Sequence, residues 1–166
     1  MNGWHYDKRL GDRLLPEIKA ILGQQFIGEP PIEEDQLHNT DLITLYMRPL
    51  RFACRIRRHV YLPNYAHQFT MRSSRFSGNK TELQKVLEGW GDYLVYGFAD
   101  QTEQHIFALM IGDLSVFRHW YYAETCKHRG IAPGVEKWNY DFSSTFRVFD
   151  TFSLPRNFLV DYKVIA

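Results

Sequence analysis

Apolar residues recur along this chain in three rhythms, and each rhythm predicts an element. At the N-terminal end, Leu14, Leu15, Ile18, Ile21, Leu22 and Phe26 form one stripe at helical spacing, which predicts a helix over residues 4–26. Pro16 marks a start or a kink in it, and Gly28-Glu29-Pro30-Pro31 ends it. An acidic loop with Glu33, Glu34 and Asp35 leads through Asn39-Thr40-Asp41 into a strand over residues 42–47. Pro49 breaks the run, and a strict alternation then predicts a second strand over residues 52–61. Phe52, Cys54, Ile56 and Val60 face one way there, with Arg55, Arg57 and His59 on the other side. Leu62-Pro63-Asn64 reads as a turn. Phe69 and Met71 alternate with Thr70 and Arg72 in a third strand, residues 68–72.

A basic Ser/Gly loop follows, and then the best-formed helix of the chain. Two starts fit a capping box, Asn79 with Glu82 or Thr81 with Gln84. Leu83, Val86, Leu87, Trp90 and Leu94 make one buried stripe, with Gly97 and Asp100 closing the helix. On its opposite side Glu82, Lys85 and Asp92 fall together, with Gly89 between them. Such a set suits a site, and it suits a solvated helix face equally. Gly89-Trp90-Gly91 in mid-helix reads either as close packing against a strand or as room for a ligand. The continuous apolar run 106–111 predicts a strand buried on both faces. Asp113 caps a helix through Phe117, Trp120 and Tyr121 to Gly130, with Pro133 as a stop. Residues 145–149 and 158–164 read as short strands in an otherwise irregular, aromatic-rich extension, 131–166.

Helix, three strands, helix, strand, helix is the order of a mixed α/β (α+β) protein. We expect a single domain over residues 1–166, in which helices flank one mixed central sheet holding segments 42–47, 52–61, 68–72 and 106–111. A length of 166 residues buries a real core, and the 16% aromatic content argues for order. A net charge of +1 excludes a globally basic nucleic-acid protein and an acidic mimic of DNA. Locally the balance differs. Arg48, Arg51, Arg55, Arg57, Arg58, Arg72 and Arg75 span an interval without a single Asp or Glu. Clustered arginine suits bidentate contacts with phosphate or carboxylate. Cys54 and Cys126 have no metal-ligand spacing and read as free thiols of a reducing cytoplasm. No signal-peptide core and no membrane span is expected, since the longest clean apolar run, 106–111, is too short. Consecutive Trp120, Tyr121 and Tyr122 cannot all be buried on one stripe, so part of the aromatic set should form a patch for a protein partner, a homodimer or stacked bases.

Asp41 at a strand mouth, the Arg55-Ile56-Arg57 strand and the helix carrying Glu82 and Lys85 resemble the order of the PD-(D/E)xK, or restriction-endonuclease-like, nuclease superfamily. The resemblance covers roughly residues 12–111, and the nuclease-like core it implies runs over about 12–130. The runs TDL, ACRIRR and TELQK are also similar to those of phage and prophage proteins. The resemblance implies a nuclease-like fold and a cytoplasmic protein, in the host if phage-encoded. It implies Asp41, Glu82 and Lys85 as catalytic residues, with Asp41 and Glu82 holding Mg²⁺ or Mn²⁺. The first-helix acid would be Glu17, or one of Glu33, Glu34 and Asp35. The Glu-x-Lys position falls on Arg55-Ile56-Arg57, where arginine cannot ligate a metal. Arg55, Arg57, Arg72 and Arg75 would then contact DNA or RNA. Three functions follow: a metal-dependent endonuclease, a non-catalytic binding or inhibitor protein acting through a basic Arg face, and a homo-oligomer with that face as its interface.

Overall fold

The computed structural model describes the backbone of residues 3–22, 26–28, 42–46 and 48–165, and the side chains of 9–22 and 49–165. Its centre is a six-stranded mixed sheet in the order β1-β2-β3-β5-β6-β9. These strands are β1 (Phe26–Gly28), β2 (Leu42–Tyr46), β3 (Arg48–Arg57), β5 (Tyr93–Ala99), β6 (Ile106–Asp113) and β9 (Leu159–Val164). Only β3 and β5 run parallel, in a register that sets Phe52 beside Tyr93 and Arg57 beside Phe98. A parallel pair needs a crossover. Residues 58–92 supply it, and they carry part of the second layer.

Helix α1 (Gly3–Leu22) covers one face of the central sheet. Leu10, Leu14 and Ile18, one helical turn apart, are fully buried against Phe52, Ile56, Val95 and Leu109. The helix runs through Pro16 and stops at Leu22, and Phe26 opens a strand instead of closing the helix. Glu17 pins it in place, accepting the Ile106 backbone N–H at 2.9 Å.

The opposite face carries a three-stranded antiparallel sheet, β4-β8-β7, together with three helices. Its strands are β4 (Gln68–Arg75), β7 (Val135–Trp138) and β8 (Ser144–Asp150), and the helices are α2 (Leu62–Tyr65), α3 (Glu82–Leu87) and α4 (Leu114–Lys127). Segment 68–72 is therefore a strand, but of this second sheet and not of the central one. The core between the layers is aromatic. Phe69 stacks on Phe149 and Phe158 at 5.2 and 5.4 Å between centroids and meets Phe117 edge-on at 5.8 Å. Phe149 and Phe158 make the chain beyond residue 131 part of this core, while β8 and β9 complete the two sheets.

The largest departure from the sequence reading lies at α3. Thr81 is its N-cap, and the reciprocal Thr81–Gln84 bonds form the full capping box. The helix then stops after Leu87. Gly89 and Trp90 donate back to the carbonyls of Val86 and Lys85, a Schellman closure that needs the left-handed φ of +104° at Gly89. Gly91 also has positive φ, and a Cβ there would meet the Leu114 side chain at 2.9 Å. The two glycines end a helix and turn the chain, neither packing nor lining a site in mid-helix. Residues 93–99 are consequently β5, buried between β3 and β6, and Leu94 belongs to a strand. Trp90 sits in the turn, partly exposed. Similarly, β3 ends at Arg57, and Val60 lies exposed in a short 3-10 turn. No helix among the described residues is long and apolar enough to cross a membrane.

Candidate nucleic-acid interface

Strand alternation puts Ala53 and Arg55 on the face of β3 that looks toward the second layer. Ala53 is core there, and Arg55 reaches out of it. Its Nη1 donates to the Thr70 carbonyl at 3.1 Å, and its Nη2 lies 2.9 Å from Glu82 Oε2. The same Glu82 oxygen accepts the Arg72 backbone N–H at 3.1 Å. Glu82 stands at the first position of α3 because Thr81 caps it, so Arg55 and Glu82 together tie β3, β4 and α3. Thr70 completes the knot, its hydroxyl 3.3 Å from the Tyr96 hydroxyl of β5.

Arg72 and Arg75 gather around this knot. Burial, then Arg75, then Arg55 pull the Arg72 guanidinium below the ordinary arginine value, while Glu82 and Asp141 act in the opposite sense. The guanidiniums of Arg55 and Arg75 thus both lie within electrostatic reach of that of Arg72. One well-seated carboxylate, Glu82 with its side chain 12% exposed, stands among them, and Asp141 approaches from the β7–β8 turn. The Nε of Arg75 is buried with no hydrogen-bond partner. Arg57 shares the strand face of Arg55, but its guanidinium lies over the Tyr61 ring at 4.5 Å from the centroid. Of the four arginines expected on a basic face, Arg55, Arg72 and Arg75 gather half-buried, while Arg57 is turned to a ring of its own.

Cross-strand register extends the basic surface. Arg72 pairs with Phe146 on β8, which pairs with Lys137 on β7, so a half-buried ring is flanked by two cations on one face of the small sheet. Around the same end of the sheet, Phe76 stacks on Trp138 at 6.3 Å and Phe142 tilts against Trp138 at 6.2 Å. These rings are open to solvent, Phe76 at 80% and Trp138 at 54%. Lys137 and Asp141 escaped the sequence reading, and Phe146 entered it only as one ring of the aromatic extension; the fold of the small sheet brings them beside Arg72.

The residues implied by the nuclease resemblance fare differently. Asp41, Glu33, Glu34 and Asp35 lie outside the described residues. Glu17 is spent on the α1–β6 contact. Lys85 follows Glu82 on α3 within the same turn. Asp92 does not join them on a helix face. It locks β5 to β3, exchanging bonds with Arg51 through its amide at 2.8 Å and its carboxylate at 2.7 Å. One Glu82 oxygen, Oε2, already holds a guanidinium and a backbone N–H, and Asp41, its implied partner at a metal, is among the residues not described. Among the described residues no group of three or more His, Cys, Asp or Glu side chains is placed to hold a metal ion. Both cysteines are free thiols, Cys54 half-buried and Cys126 exposed. No family model, no curated protein and no solved structure matches this chain.

Proposed function

We propose that this protein binds single-stranded nucleic acid without cutting it, through the Arg55–Arg72–Arg75 group and the aromatic end of the small sheet. One observation supports the reading: the half-buried Arg72 guanidinium is crowded by those of Arg75 and Arg55, and the buried Nε of Arg75 has no hydrogen-bond partner, so an added anion is favoured there. Assembling like charges costs free energy that a phosphate backbone recovers. Arginine suits that ligand because its fork matches the phosphate oxygens in pairs. Phe146 between Arg72 and Lys137, and the open rings of Phe76, Trp138 and Phe142, offer π-faces on which unpaired bases stack without sequence readout. A duplex hides those faces, which favours single strands. Cleavage is left out of the reading because Glu82 is already committed to Arg55 and Arg72.

A fluorescently labelled single-stranded oligonucleotide, titrated with the protein and read by anisotropy, tests this directly. Unlabelled single strands should displace it at lower concentration than duplex of equal length, and Trp138→Ala should narrow that preference. Equal displacement by duplex, or no binding at low salt, overturns the proposal.

A further inference from the structure

We infer that a second copy of this chain docks on the open edge of β9, joining two central sheets across a twofold axis. Among the described residues, β9 is the last strand of the six and pairs only with β6. Exposed apolar edge strands invite strand addition, and natural proteins usually guard them. Here Tyr162 and Val164 stand about half-exposed on one side of the strand, with Asp161 and Lys163 on the other.

The backbone fixes which residues offer hydrogen bonds outward. Ile165 donates to Phe107 at 2.7 Å, and the register sets Lys163 beside Leu109 and Asp161 beside Ile111. In an antiparallel ladder the bonding residues alternate. The amides of Asp161, Lys163 and Ile165 therefore point to β6, while those of Tyr162 and Val164 point out of the sheet. A bulge falls before Asp161 and leaves residues 161–164 in unbroken register.

The sequence of this edge is complementary to itself when read backwards. An antiparallel partner centred on Tyr162 sets Tyr162 opposite its own copy and Asp161 opposite Lys163, all within the unbroken register 161–164. The centre falls on a residue whose amide and carbonyl point outward, as a hydrogen-bonded twofold pair requires. Asp161 and Lys163 already form an ion pair within the strand at 3.2 Å. Across the twofold they become a square of alternating charge in the close, non-hydrogen-bonded positions. Registers centred on Asp161 or Lys163 set like charges opposite each other, so charge selects one register. The contact is isologous and closes as a dimer. It is independent of the arginine site, which lies on β3 and β4.

Sedimentation equilibrium of the wild-type chain and two charge variants tests the pairing. Wild type should dimerise, and Lys163→Asp and Asp161→Lys should each weaken the dimer by roughly tenfold or more, as facing charges turn alike. An equimolar mixture of the two variants should dimerise again, because each then faces its opposite. Hydrogen exchange gives a second readout that needs no variant: the amides of Tyr162 and Val164 should be protected at high protein concentration and lose protection on dilution. A monomeric wild type, single variants that dimerise unchanged, a mixture that stays monomeric, or outward amides unprotected at every concentration each overturns the inference.

Discussion

Arg147 and the Arg55–Arg72–Arg75 group hold the same side chain in opposite circumstances. Arg147, on β8, gives one Nη to the carbonyls of Ala132, Pro133 and Gly134 at 3.0–3.3 Å, and the other approaches Glu136 at 3.5 Å. It is a bracket, closing the loop before β7 onto the small sheet, and its demand for acceptors is met inside the chain. On the other side of that sheet Arg55 and Arg75 crowd the Arg72 guanidinium, Glu82 holds Arg55, and Arg75 keeps a buried Nε without a partner. An arginine surrounded by its own carbonyls is architecture. Arginines that crowd one another are, in the function proposed above, the ones that take an anion from outside.

The largest effect expected from breaking this contrast is on stability at the bracket. Arg147→Met removes three charge-assisted bonds and should cost about 2–3 kcal/mol in chemical denaturation, with no change in the affinity of the folded protein for an oligonucleotide. Glu82→Gln should move the two properties in opposite directions. Losing the ion pair with Arg55 should cost about 1 kcal/mol of stability. Removing the negative charge from the cluster should tighten oligonucleotide binding by roughly threefold or more, as complementarity to a polyanion improves. A metal-ligand role for Glu82 predicts instead that the variant loses a metal-dependent property.

The parts of this comparison that were legible in the sequence are the local ones. The acid-free arginine interval, the alternation of Arg55 with Phe52 and Ile56, and the Thr81 capping box all sit within a few residues of one another, and all appear in the structure. What decided the fold around them was less visible. Leu83, Val86 and Leu87 keep helical phase, and Leu94 falls in phase by chance, so the stripe ran on through Gly89 and Gly91. The left-handed backbone at those glycines ends the helix, and YLVYGFA, aromatic and β-branched like the 106–111 run, is the strand beyond. The site depended on pairings between segments far apart, such as Arg55 with Glu82 and Arg72 with Phe146, which no periodicity encodes.

A smaller effect sharpens the contrast from the bracket's side. Hydrogen bonds from Ser73 and then Thr145 hold the Glu136 carboxyl below the ordinary value of 4.5. A carboxyl depressed in the folded state stabilises above its unfolded pKa, and that stability is lost as pH falls through the folded value. Denaturation midpoints should therefore decline as pH drops below about 4.5, the unfolded reference. Ser73→Ala should make that decline shallower, while leaving oligonucleotide binding at neutral pH as it was.

Salt dependence of binding reads the cluster most directly. Each phosphate contact by an arginine releases counterions and contributes about 0.7 to the slope of log affinity against log salt for a single strand. Measured from low to moderate salt, Arg72→Met/Arg75→Met should flatten the wild-type slope by about 1.4, and Arg147→Met should leave it unchanged. A double variant that keeps the wild-type slope and affinity, or an Arg147 variant that flattens it equally, would contradict the division between bracket and binding site.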